Sequence, residues 1–247
     1  MKRQMTSIKR LLKQTALLLI VAGFTSAASA ALSPINLTTL VNGGSLQVGD
    51  KIFSDFTWSG PTGPAGITVT GIGDGTAGNL YGIQIGGGLS VIGANVNDWR
   101  LGYSVTVAPG YNNLISDIHQ YANVNGSAGS LANISEDALN TPGGQVVASS
   151  HVGAGINFTY LDHTDPPAEL NDVLNLATPL QKIWINKDIL LQSFGPNDWA
   201  AVSIIEQRFS QVTVPEPTTM VAGAGALGLA LLGIGRARRT SVVRIGK

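Results

Sequence analysis

Between Trp99 and Val107 the chain alternates without a break: Trp99, Leu101, Tyr103, Val105 and Val107 are apolar, and Arg100, Gly102, Ser104 and Thr106 separate them. Five apolar side chains at period two fit a strand with one face on a core and the other in water. Shorter stretches follow the same rule: Ile67 and Val69; Tyr81, Ile83 and Ile85; Ile156, Phe158 and Tyr160; Ile183 and Ile185. Gly60-Pro61-Thr62-Gly63-Pro64 and Gly86-Gly87-Gly88 punctuate them as turns or loops. Short strands with frequent turns predict a mainly β fold, a β-sandwich or jelly-roll-like domain over residues 31–213. The 31 glycines among 247 residues point the same way, toward turns and extended chain rather than helix. Helical pieces are expected only near Ser135–Leu139 and Ala168–Leu176. In the first, Ser135 would cap a turn that carries Glu136 and Asp137; the second follows Pro166-Pro167.

The two ends of the chain read differently. Residues 1–30 carry Lys2, Arg3, Lys9, Arg10 and Lys13 and no acid, then an apolar run from Ala16 to Phe24, then Ala28-Ser29-Ala30. A basic start, a short apolar run and an A-x-A site are the three parts of a secretory signal peptide, with cleavage expected after Ala30. At the other end Val214-Pro215-Glu216-Pro217 precedes an uncharged run, and Arg236, Arg238 and Arg239 close it. From Thr218 to Gly235 that run would measure about 27 Å as a helix, enough for a bilayer core. Residues 240–247 would remain as a cytoplasmic tail. Both basic clusters predict retention on the cytoplasmic side, which leaves residues 31–217 outside.

The zero net charge, 15 basic against 15 acidic residues, is therefore a cancellation. Each basic end contributes +5, while residues 31–214 hold 14 acids and 5 bases, or −9, and Glu216 adds the last −1. An acidic product of this kind is not expected to bind nucleic acid or an acidic polysaccharide by charge. The absence of cysteine excludes a disulfide scaffold, a thiolate metal site, a cysteine nucleophile and a lipid anchor on cysteine.

The C-terminal arrangement resembles the PEP-CTERM protein-sorting signal of Gram-negative bacteria. The match runs over Val214-Pro215-Glu216-Pro217-Thr218-Thr219, the apolar segment and Arg236-Ala237-Arg238-Arg239, so the signal spans residues 214–239. The resemblance implies export through the secretion machinery, transient residence in the inner membrane and processing near Pro-Glu-Pro by a membrane-embedded exosortase. It further implies a place at the cell surface or in an exopolysaccharide matrix. Physically, two prolines around one residue hold an extended segment that joins neither a helix nor a central strand. Phe53-Ser54-Asp55-Phe56-Thr57-Trp58, Lys187-Asp188-Ile189 and Ile205-Glu206-Gln207-Arg208-Phe209-Ser210-Gln211 resemble, more loosely, secreted members of that family without assigned activity.

No motif in the middle of the chain points to an enzyme or a cofactor. Gly73-Asp74-Gly75-Thr76-Ala77-Gly78 matches G-x-G-x-x-G, but a strand rather than a helix is expected after it, so it reads as a glycine-rich turn. Asp162, His163 and Asp165, with Glu169 and Asp172 nearby, are the densest set of metal-ligating side chains. Their spacing is not that of an EF-hand loop, and a solvated acidic loop is the expected reading. His119, His151 and His163 lie far apart, and no nucleophile-elbow motif is present. The expectation is a non-enzymatic structural or adhesive protein. The alternative is a carbohydrate-binding module or glycan-modifying protein, which would need exposed aromatics such as Trp58, Trp99, Trp184 or Trp199 along one groove.

Overall fold

The computed structural model describes residues 33–73, 80–155 and 168–214. After β1 (Ile35–Asn36) and the five-residue helix α1 (Leu37–Val41), twelve strands follow. They are β2 (Leu46–Val48), β3 (Lys51–Ser59), β4 (Thr68–Ile72), β5 (Tyr81–Ile92), β6 (Asn95–Val107) and β7 (Asn113–Gly126). Then come β8 (Ser130–Leu139), β9 (Val146–Gly155), β10 (Ala168–Glu169), β11 (Asn171–Leu180), β12 (Lys182–Ser193) and β13 (Trp199–Thr213). Two antiparallel sheets result, ordered β1-β4-β5-β13-β7-β11 and β10-β9-β8-β12-β6-β3-β2. From β5 to β8, and again from β11 to β13, successive strands switch sheets, so the hydrophobic faces meet as a β-sandwich.

The alternating run does what its period demands. Trp99, Leu101, Tyr103, Val105 and Val107 of β6 are buried between the sheets. Ile183, Ile185, Ile189 and Leu191 of β12 join them, facing Ile205 and Phe209 of β13 and Ile118 of β7. Phe53, Phe56 and Tyr103 form an aromatic group, Phe56 lying stacked on Tyr103 at 5.4 Å between centroids.

Both expected helices are strands. Ser135–Leu139 lies inside β8, where Ile134, Glu136 and Ala138 point inward and pair with β12 on one side and β9 on the other. Ser135 is therefore a mid-strand residue and caps nothing. Ala168–Leu176 divides between β10 and β11, and Leu174 and Leu176 of β11 are buried two residues apart, the period of a strand. Trp199 opens β13. Residues 74–79 of the glycine-rich motif lie outside the described residues, and the element after it is a strand, β5, the antiparallel neighbour of β4. Residues 1–30, most of the 214–239 signal and the 240–247 tail lie outside the described residues, as does the strand expected at Ile156–Tyr160. Among the described residues no helix is long and apolar enough to cross a membrane.

Candidate functional site

The outer face of the seven-stranded sheet is polar because it carries the other half of each alternation. Register places Thr57, Gly102, Asn186, Asp137 and Ser149 in one row across β3, β6, β12, β8 and β9. One step along, Ser59, Arg100, Asp188 and Ser135 form a second row. Gly102, between Thr57 and Asn186 in the first row, has no side chain, so its neighbours stand around a hollow. A depression of about 460 Å³ results, lined by the second row, by the first row from Thr57 to Asp137, and by Trp58. A second depression, of about 420 Å³, shares Thr57, Gly102 and Asn186 and adds Asp55, Lys182 and Trp184. Together they make one polar groove across four strands with Gly102 at its floor. A Cβ added at Gly102 would lie 2.5 Å from Thr57 Oγ1 and 3.3 Å from Asn186 Oδ1, so glycine keeps this floor open.

A β-bulge shapes one end of the groove. Between Ser54 and Thr57 the pairing of β3 with β6 slips by one residue, and Asp55 sits there at φ 57°, in the left-handed region. The bulge turns the Asp55 carboxylate onto the outer face. There it accepts from Ser104 Oγ at 2.6 Å and from Lys182 Nζ at 3.1 Å. The Ser104 hydroxyl, then the Lys182 ammonium, hold the Asp55 carboxyl below the usual carboxylate range. Lys182 Nζ also stands 4.6 Å from the centroid of the Trp184 ring. A depressed folded pKa means that the Asp55 contribution is present above the unfolded value and is lost as pH falls through the folded one. Ser104→Ala should therefore raise the Asp55 pKa toward the unperturbed range, measurable by NMR titration of its carboxyl carbon.

At the other end Asp188 behaves oppositely. Burial raises its pKa first, and a hydrogen bond and charge repulsion from Asp98 add to this, while Arg100 beside it pulls the other way. The groove thus carries a carboxyl whose pKa is lowered at one end and one whose pKa is raised at the other. Between them lie an amide, hydroxyls and a guanidinium, a set that donates to and accepts from hydroxyl groups.

The tryptophans divide by role. Trp99 is a core residue, 1% exposed, and its Nε1–H donates to Thr62 Oγ1 at 2.9 Å. Trp58 and Trp184 are half-buried and line the two depressions, and Trp199 is exposed at the start of β13, away from both. Aromatic surface reaches the groove from Trp184, whereas Trp58 pairs in register with the inward Leu101 and packs against the core. The groove was not legible beforehand, because its rows are assembled from strands far apart in sequence. Arg100, the cation on the outward side of the best alternating run, was the available signal.

Asp162, His163 and Asp165 lie outside the described residues, and among the described residues no three His, Asp or Glu side chains gather to hold a metal ion. Glu169 falls in β10, while Asp172 in β11 accepts from the His151 backbone N–H at 3.2 Å. His119 meets both Asp117 Oδ1 (2.9 Å) and Ser210 Oγ (3.3 Å), but through the same ring nitrogen, Nε2. A serine–histidine relay needs the hydroxyl on one nitrogen and the carboxylate on the other, so this trio is a surface hydrogen-bond group.

Glu136, expected with Asp137 in the first turn of a helix, is wholly buried in β8. It pairs in register with Lys187 of β12, and the two are joined by a hydrogen-bonded ion pair inside the sandwich. From the opposite sheet Gln207 and Gln120, themselves paired in register, face them. Gln207 Nε2 donates to Glu136 Oε1 at 2.8 Å, and Lys187 Nζ donates to Gln120 Oε1 at 2.5 Å.

No family model matches the chain, and no curated protein does. Among solved structures it is similar to the carbohydrate-binding module TmCBM61, determined in complex with β-1,4-galactotriose. The TM-score is 0.32 at 14% identity, over 65% of this chain and 90% of that one. It is also similar to the enzymatically active domain of tailspike protein 4 of bacteriophage CBA120. There the TM-score is 0.26 at 14% identity, over 61% of this chain but 19% of that one.

Proposed function

We propose that the chain is an exported, non-enzymatic adhesive component of the cell surface or exopolysaccharide matrix, and that the groove over Gly102 is its contact for a neutral glycan. The observation that carries the binding role is the hollow in the row Thr57, Gly102, Asn186 and Asp137, flanked by Arg100 and Asp188 and reached by the Trp184 indole. Sugar hydroxyls pair with amides, carboxylates and guanidinium groups, and the apolar faces of sugar rings lie on indoles. A net charge of −9 over residues 31–214 favours a neutral polymer over an acidic one. Export rests on the basic and apolar order of residues 1–30, and sorting by an exosortase on Val214 to Pro217, the apolar run and Arg236, Arg238 and Arg239.

A glycan array with the full secreted product, followed by calorimetry on the best neutral oligosaccharide, tests the binding role. Gly102→Val should fill the floor and reduce affinity at least tenfold, about 1.4 kcal/mol, without loss of the fold. An array without hits, or a Gly102→Val protein that binds as well as its parent, would overturn the reading. For sorting, replacing Pro215-Glu216-Pro217 by alanines should leave the protein in the inner membrane fraction, and unchanged release would count against the motif.

A further inference from the structure

We propose that Lys187 and Gln120 join in an intramolecular isopeptide bond, formed by the side chains of the buried polar box themselves, which ties one sheet of the sandwich covalently to the other. The box has two halves. Lys187 and Glu136 are directly opposed on β12 and β8, and Gln207 and Gln120 are directly opposed on β13 and β7. All four side chains are within 1% of complete burial. Lys187 Nζ touches Gln120 Oε1 and Glu136 Oε2 at once. An amine held at 2.5 Å from an amide oxygen is one bond away from the carbonyl carbon it would attack.

Burial prepares each partner. Desolvation lowers the Lys187 pKa and raises that of Glu136, and both shifts move the pair away from its charged form. A neutral amine is the nucleophilic form of lysine, and a carboxyl group beside it carries protons in either direction. Gln207 holds that carboxyl in place through its 2.8 Å hydrogen bond. The box is also incompletely satisfied: among the described residues, Tyr103 Oη and Gln207 Oε1 are buried without a hydrogen-bond partner. A site that cannot solvate an ion pair fully favours a product in which the charges are gone.

The step balances. Lys187 Nζ bonds to Gln120 Cδ, the Cδ–Nε2 bond breaks, and Nε2 leaves as ammonia. Glu136 takes a proton from the attacking nitrogen and returns one to the leaving nitrogen, so it ends as it began. No oxidant or added reagent is required. Gln120 rather than Glu136 is the acyl partner, because an amine and a carboxyl group in contact exchange a proton and stop, whereas a primary amide carries ammonia as a leaving group. Lys51 also touches a glutamine, Gln211, but that residue is half-open to water.

The test is peptide mapping of the purified full chain after complete denaturation. The expected result is a linked pair of peptides, one containing Lys187 and the other Gln120, lighter than their sum by one ammonia. Lys187 should then resist both tryptic cleavage and acylation by an amine reagent. Glu136→Gln should abolish the link and restore both reactions. Separate peptides at full mass overturn the proposal. So does a pair lighter by one water in which Lys187 is joined to Glu136, and so does a link that survives Glu136→Gln.

Discussion

Glu136→Ala should lower the unfolding free energy by about 3–5 kcal/mol, read as a fall in the denaturant midpoint with little change in slope. The reason is the partner left behind. Lys187 is fully buried, and without the carboxyl that moves its proton it would stay unlinked, with only the Gln120 oxygen as an acceptor in an interior of low dielectric. A domain of this size is stable by about 5–15 kcal/mol, so one substitution would remove a large part of the margin. The double replacement Glu136→Leu with Lys187→Met should recover most of the loss, since it removes both charges and keeps the volume. If the double variant were as unstable as the single one, the cost would lie in packing rather than in charge. Asp137, the next residue, is exposed on the outer face, and Asp137→Ala should change stability by less than about 0.5 kcal/mol. Two adjacent acids would then differ several-fold in effect because a strand turns them to opposite sides.

Trp99→Ala should cost about 3–5 kcal/mol as well, by a different route. The side chain is 1% exposed, at the start of the inward row of β6. Its removal leaves a cavity that neighbours in two hydrogen-bonded strands fill poorly. The indole also anchors the β3–β4 connection. Its Nε1–H donates to Thr62 Oγ1 at 2.9 Å, Trp58 Nε1 donates to the Thr62 carbonyl at 2.9 Å, and a Cβ at Gly60 would lie 2.4 Å from the Trp99 ring. Loss of the ring should therefore raise amide exchange across residues 60–64 in addition to lowering the melting temperature. Thr62→Val, which removes only the acceptor for Trp99, should cost about 1 kcal/mol. Near-equal effects of the two changes would contradict a packing origin.

The fold class could be read because burial writes itself locally into a strand. From Trp99 to Val107 in β6 the inward side chains are all apolar and the outward ones polar or absent, so nine residues sufficed. β8 concealed itself for the opposite reason. Its inward row is Ile134, Glu136 and Ala138, and a carboxylate at the middle position breaks the apolar count and mimics the acidic first turn of a helix. The residue that makes Glu136 an interior group is Lys187, 51 positions away. No window short enough to show a period contains both. In β11 the proline pair upstream suggested a helix start, while Leu174 and Leu176, two apart, gave only a short stretch of the strand period. The groove lay further out of reach. Gly102 marks its floor only once β3 and β12 are placed on either side, which is a statement about register between strands and not about any one of them.

The last strand has a mechanical consequence. β13 lies inside the six-stranded sheet, hydrogen-bonded along most of its length to β5 on one side and β7 on the other. It leads straight into Val214, whose N–H is held by the Asn112 carbonyl at 2.8 Å. Ladder hydrogen bonds in an antiparallel sheet lie perpendicular to the strands. A pull applied to the chain beyond Val214 therefore runs along β13 and loads two ladders in shear, many bonds at a time. Strands drawn off a sheet edge unzip one bond at a time; this one would have to slide as a whole. A domain hung by this end is gripped at the point where it resists traction best.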